Sequence, residues 1–170
     1  TMPALLRKDA NSDYPCFVLA PHSPGNGRFA SDGEGNPAPV LRMCMEAIES
    51  LAADRYPQID LTRLYLTGHS SGGTAVWEML IAHPGRFAAA MPVAGMLYTH
   101  RLRLLRDRGV AVWMANGHQD KAVQRSETSS VFRILRDAGA PVVYSEASAS
   151  AKGHSVYKFI WNDRRAMDFL

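Results

Sequence analysis

The chain has 170 residues, 46% of them hydrophobic and 21% charged, with a net charge of +3. That is enough polypeptide for a single domain over residues 1–170 with a real core, and the composition is that of a globular protein rather than a disordered or fibrous one. The mild basic excess is spread along the chain, which argues against nucleic acid as a partner, and no apolar run reaches membrane-spanning length.

Residues 1–13 read as a polar lead with a helical turn or two around Ala4 to Lys8. No secretory leader is visible, and the compartment, cytoplasmic or secreted, is left open. Cys16-Phe17-Val18-Leu19-Ala20 is a short continuous apolar run, the pattern of a strand buried on both faces, ended by Pro21. Residues 21–39 carry Pro, Gly, Asn and Ser throughout and read as a long loop, a length usually kept for function. His22, Arg28 and Phe29 are its conspicuous side chains.

Val40, Leu41, Cys44, Ile48, Leu51 and Ala52 recur at helical spacing and predict an amphipathic helix to about Arg55, stopped by Tyr56-Pro57. Cys16 and Cys44 fall in apolar runs and read as buried free thiols, with a single disulfide as the alternative. Leu64 to Thr67 is the second predicted strand, broken at Gly68, and a helix follows over 71–82. His83-Pro84-Gly85 ends that helix, and residues 88–94 form the third strand. Met96, Leu97 and Tyr98 then make an apolar loop, and Arg101 to Arg108 a basic helical piece with a solvated face. Residues 110–115 predict the fourth strand, 126–138 a helix capped by Gly139, and 142–144 the fifth strand. Gly153-His154 lies in a small-residue loop over 147–155, before a last helix from about Asp163 to Leu170. Strands alternating with helices argue an α/β fold with a mostly parallel sheet of about five strands. Right-handed crossovers put every strand's C-terminal end on one edge, where ligand sites gather.

The chemistry centres on Gly68-His69-Ser70-Ser71-Gly72, a G-x-S-x-G motif on a strand-to-helix corner. With Gly and Ser each near 7%, a random chain of this length holds the motif about 0.06 times. A serine hydroxyl is a weak nucleophile until a base takes its proton, and the corner exposes Ser70 Oγ to such a base. Gly68 and Gly72 are expected to remove Cβ atoms where the chain doubles back. The Ser71 N–H, at a helix start, can face a developing oxyanion. The plain alternative is a loop in which Ser70 caps the helix.

Six histidines could supply the base. His154, His118 and His22 follow strands and lie on the right edge; His83 follows a helix and lies on the wrong one. His69 sits beside the nucleophile and is expected to point away from it. The order Ser70, Asp120, His154 is that of a nucleophile-elbow triad, with His118 and Asp163 as the competing base and acid. The histidines form no ligand-spaced cluster, so no metal is expected, and no cofactor is called for.

The segments Tyr14 to Pro21, Ile59 to Gly73 and His83 to Gly95, with Trp77, Asn116 to Asp120 and Gly153-His154, resemble one group of α/β-hydrolases. That group holds predicted peptidases and carboxylesterases related to polyhydroxybutyrate depolymerases and feruloyl esterases. The resemblance runs from about Tyr14 to the C-terminus and implies a three-layer α/β-hydrolase-like fold. It implies Ser70, Asp120 and His154 as catalytic; Ser71, His22, His69 and Met96 are the oxyanion or substrate-binding candidates. This chain has Asn116-Gly117 where the group usually has His-Gly, and His22 where it usually has Gln. The group's first strands and the His-Gly-rich loop giving the second oxyanion N–H precede the matched part, so an N-terminally truncated version of the fold is expected. With helices on one face, the other needs a cover beyond the C-terminal helix. A partner is therefore expected: a second copy, a swapped element or an N-terminal fragment. The implied activity is cleavage of small carboxylic esters through an acyl-enzyme. The alternatives are an impaired hydrolase fold used for binding, and a serine peptidase.

Overall fold

The computed structural model describes residues 14–22, 29, 38–97, 99–105, 109–147 and 153–170. The elements run α1 (Pro39–Asp54), β1 (Tyr65–His69), α2 (Ser71–Ala82), β2 (Ala89–Val93), a 3-10 helix (Thr99–Leu104), β3 (Ala111–Gly117), α3 (Arg125–Asp137), β4 (Val142–Ala147), a 3-10 turn (Gly153–Ser155), α4 (Tyr157–Ile160) and α5 (Arg164–Phe169). Pro39 opens α1, where its missing N–H costs nothing. Asp163 caps α5 by accepting from the Arg165 N–H at 3.0 Å.

The strands form one parallel sheet in the order β1-β2-β3-β4. Each connection steps the same way, so right-handed crossovers place α2 and α3 on one face. Side chains alternate across the sheet and feed two cores. Ala90, Val112 and Met114 join Leu41 and Met45 of α1, Trp77 and Leu80 of α2, and Val131 and Leu135 of α3. Met91, Val93 and Ala115 point the other way, onto Val156, Ile160, Trp161 and Ala166. The chain's own last two helices thus lie on the second face. Tyr14 braces them, donating from its hydroxyl to Asp168 Oδ1 at 2.5 Å.

Several expectations change. Residues 16–20 belong to no strand, and Phe17, Val18 and Leu19 are exposed. Apolarity signals a wish for burial, but a strand also needs a ladder partner, and among the described residues β1 pairs only with β2. Among the described residues the sheet therefore has four strands, where about five are expected. Cys16 is exposed and Cys44 half-buried, and both are free thiols. Strand β1 does not break at Gly68: Gly68 and His69 still pair with Pro92 and Val93. Strand β4 likewise runs on to Ala147, held by β3. Arg101 is not on a solvated face; it is buried and pairs with Glu78 of α2 at 2.5 Å. The expected turns around Ala4 to Lys8, and Arg28, Tyr98 and residues 106–108, lie outside the described residues.

Candidate active site

The site stands on the C-terminal edge of the sheet, where β1, β3 and β4 end. Ser70 closes β1 with φ 58° and ψ −121°, in a region that costs a residue with a side chain about 1–3 kcal/mol. Its backbone is held from both sides. The Ser70 N–H donates to the Val93 carbonyl and the Thr74 N–H donates to the Ser70 carbonyl, each at 3.0 Å. Crowding enforces the corner. A Cβ on Gly68 would sit 2.3 Å from the Gly72 carbonyl oxygen, and one on Gly73 2.8 Å from the Gly95 Cα. Gly72 itself has open space where a Cβ would go, so the second indispensable glycine is Gly73, not Gly72. Gly95 follows Ala94, which also has a positive φ of 46°, so the turn at the end of β2 packs against the start of α2.

Although Ser70 occupies the N-cap position of α2, its side chain makes no cap hydrogen bond. The hydroxyl lies 2.7 Å from His154 Nε2 and can donate to it. His154 Nδ1 lies 2.9 Å from Asp120 Oδ2. The other carboxylate oxygen, Oδ1, accepts from the Ala122 N–H at 2.8 Å and the Val123 N–H at 3.0 Å. The Asp120 side chain is fully buried and that of His154 one-third exposed. The buried carboxylate is thus met by three partners, two backbone N–H groups and the imidazole, while the imidazole keeps an open flank. Asn116, fully buried, supports the turn by donating from Nδ2 to the Val123 carbonyl at 3.0 Å. Hydroxyl, imidazole and carboxylate thus stand in line, the arrangement that lets a base draw a proton off a nucleophile.

Ser71 opens α2, where its N–H has no partner carbonyl within the helix. Met96 does not offer its N–H, which donates to Thr74 Oγ1 at 3.1 Å; the residue lines a small cavity with Trp77 and Thr128. His22 is exposed, and among the described residues no hydrogen bond or ring contact joins it to Ser70, Asp120 or His154. His69 lies against His154: its Nε2 is 2.6 Å from the His154 carbonyl oxygen, and the rings stand 4.7 Å apart. Burial, the largest influence, pushes its pKa below the usual histidine value.

The competitors are occupied elsewhere. His118 pairs through Nδ1 with Glu146, which also takes Arg125 at 2.7 Å. Asp163 caps α5. His83, at the far end of α2, lies on the opposite edge. Gly73, which meets Gly95, Gly117, which meets Gly153, and Tyr157, whose ring packs on His69, make contacts that leave no local signature, because each joins residues distant in the chain.

The prolyl oligopeptidase family matches the chain over residues 40–107. The structure of a thermostable esterase superposes with a TM-score of 0.84 at 25% identity, covering 96% of this chain and 45% of the esterase. An acylaminoacyl peptidase from Pyrococcus horikoshii gives a TM-score of 0.64 at 14% identity, over 76% of this chain and 27% of that one. A putative dienelactone hydrolase from Klebsiella pneumoniae gives 0.59 at 19% identity, over 76% and 56%. The last two likenesses bear on the fold alone. The chain spans less than half the length of the esterase. No curated protein matches it significantly in sequence. The parallel sheet, the strained serine between β1 and α2 and these likenesses define the class: the chain is a member of the α/β-hydrolase superfamily.

Proposed function

We propose that this protein is a serine hydrolase that cleaves carboxylic esters through an acyl-enzyme on Ser70. The observation that carries the reading is the 2.7 Å approach of Ser70 Oγ to His154 Nε2, with His154 Nδ1 held 2.9 Å from Asp120. Ser70 Oγ bonds to the ester carbonyl carbon as its proton passes to His154 Nε2. Asp120 stabilises the imidazolium and fixes its orientation. The carbonyl oxygen takes up the negative charge against the Ser71 N–H and the positive end of α2. When the tetrahedral species collapses, the alkoxide leaves with the proton from His154. Water then enters by the same route in reverse, releasing the acid and restoring Ser70. Met96 and His22 remain candidates for contacts with the ester.

Short acyl groups suit the site, since no lid-sized apolar insertion is visible in the sequence. A burst of p-nitrophenol from p-nitrophenyl acetate, followed by slower steady turnover, tests the acyl-enzyme. The rate should fall on the acid side, because a protonated His154 cannot accept the serine proton. No release above the Ser70→Ala background would leave the fold as a binding module. A second reading, a serine peptidase, draws on the match to the prolyl oligopeptidase family over residues 40–107. Paired ester and anilide substrates with the same acyl group separate the two: the ester reading expects the anilide to be turned over far more slowly.

A further inference from the structure

We infer that His69 is a positioning residue that clamps the segment carrying the base onto the strand carrying the nucleophile, an inference that rests on the serine-hydrolase reading. His69 is bonded directly to Ser70 through one peptide unit. Its Nε2 lies 2.6 Å from the backbone carbonyl oxygen of His154. A carbonyl only accepts, so Nε2 carries the proton and donates. The same ring packs 4.7 Å from the His154 ring and 4.6 Å from that of Tyr157, in the first turn of α4.

One residue pair further back the pattern repeats. Thr67 shares the face of β1 with His69, two residues away. The Trp161 indole N–H donates to Thr67 Oγ1 at 2.9 Å, and the Thr67 hydroxyl donates on to the Met91 carbonyl at 3.1 Å. The stretch from His154 to Trp161 is therefore fastened along β1 at both ends. The outer fastening is His69, and it acts on the residue whose imidazole must meet Ser70. Because clamp and nucleophile are neighbours in the chain, a shift of one carries the other, and the distance from Oγ to Nε2 is kept. The clamp requires a proton on Nε2, which the neutral Nε2–H tautomer supplies, and burial of the ring favours the neutral form.

This role separates from that of a group touching the reacting atoms. His69 Nε2 faces the His154 backbone, while the Ser70 hydroxyl faces the His154 ring. What His69 supplies is a fixed backbone, and a displacement of about 1 Å in such an arrangement costs about 100-fold in rate.

The test uses three variants with p-nitrophenyl acetate as substrate. Gln places its amide nitrogen near the position of the histidine Nε2, so His69→Gln keeps a donor for the His154 carbonyl. Asn reaches only as far as the histidine Nδ1, so His69→Asn has a donor in the wrong place, and His69→Ala has none. The expected result is a fall in kcat of about 10- to 100-fold in His69→Asn and His69→Ala. KM should stay nearly constant, and His69→Gln should keep most of the wild-type kcat at an unchanged or equally lowered melting temperature. Wild-type kcat in His69→Asn overturns the inference. So does an equal loss in all three variants that follows their melting temperatures, which is the behaviour of a packing residue. The two readings fail differently. If the wild type itself shows no turnover and no labelling of Ser70, the hydrolase reading falls and this inference with it. If the wild type turns over and His69→Asn matches it, only the inference falls.

Discussion

Gly117 and Gly153 touch backbone to backbone: a Cβ placed on Gly117 would lie 2.0 Å from the Gly153 carbonyl oxygen. Gly117 ends β3 and leads into the turn that carries Asp120, whose N–H donates back to the Gly117 carbonyl at 3.1 Å. Gly153 precedes His154 and itself has a φ of 58°. Asp120 and His154 are thus brought together by the two residues that present no side chain.

A Gly117→Ala substitution should push these turns apart. The atom it meets is backbone, which cannot swing aside, so the cost should lie in the range of about 1–3 kcal/mol typical of overpacking. Urea unfolding measures that cost. Ester turnover in the folded variant should fall further than the stability loss explains, by about 100-fold, because Asp120 and His154 move relative to each other.

Asp120→Asn keeps the shape of the side chain but gives it a donor. Asp120 now accepts on both oxygens, from two backbone N–H groups and from His154. An amide must turn its NH2 toward either the backbone donors or the imidazole. In the second case it favours the tautomer with the proton on Nε2, which cannot accept from Ser70. A fall in kcat of about 10,000-fold, with the melting temperature moved by only a few degrees, is expected by the logic of the serine triad. Steady-state kinetics beside a thermal melt decide it; retention of kcat would show that the carboxylate is not needed.

Tyr144, on β4, should set part of the alkaline stability limit. Burial, and then the nearby Glu146 carboxylate, push its pKa up from 10.0 to about 12, against an opposing effect of Arg125. The folded state therefore holds the phenol proton more tightly than the unfolded state does. Its contribution is fully present below about pH 10 and is lost as the pH rises through about 12. Urea midpoints of the wild type and Tyr144→Phe, compared from about pH 9 upward, should diverge in that window, with the wild type falling faster. The Tyr144 hydroxyl has no hydrogen-bond partner among the described residues, so the phenylalanine should cost little at neutral pH.

Much of this architecture is written in local pattern. The helix over 71–82 lies where its apolar run and the preceding motif put it, and α3 falls within one residue of its expected span. Ser70, Asp120 and His154 are expected at one edge because strand ends share an edge in a parallel sheet, and they lie within hydrogen-bond reach of one another. What stayed hidden depends on contacts distant in the chain. The run Cys16 to Ala20 looks like a strand, yet no local pattern reveals whether a neighbouring strand exists to pair with it. Arg101 stands in a basic stretch and reads as solvated, because its partner Glu78 lies 23 residues earlier. Gly72 sits inside the motif and looks indispensable, while the crowding falls on Gly73 through a contact with Gly95. His69 is beside the nucleophile and was expected to point away; its tie to the His154 carbonyl spans 85 residues.

The central claim is that Ser70 is activated as a nucleophile by His154. Labelling with a fluorophosphonate, followed by peptide mapping, tests it most directly. We expect one phosphonyl group per chain, on the peptide carrying Ser70, with labelling lost in Ser70→Ala and strongly slowed in His154→Ala. An unlabelled wild type, or an adduct that persists in Ser70→Ala, would contradict it.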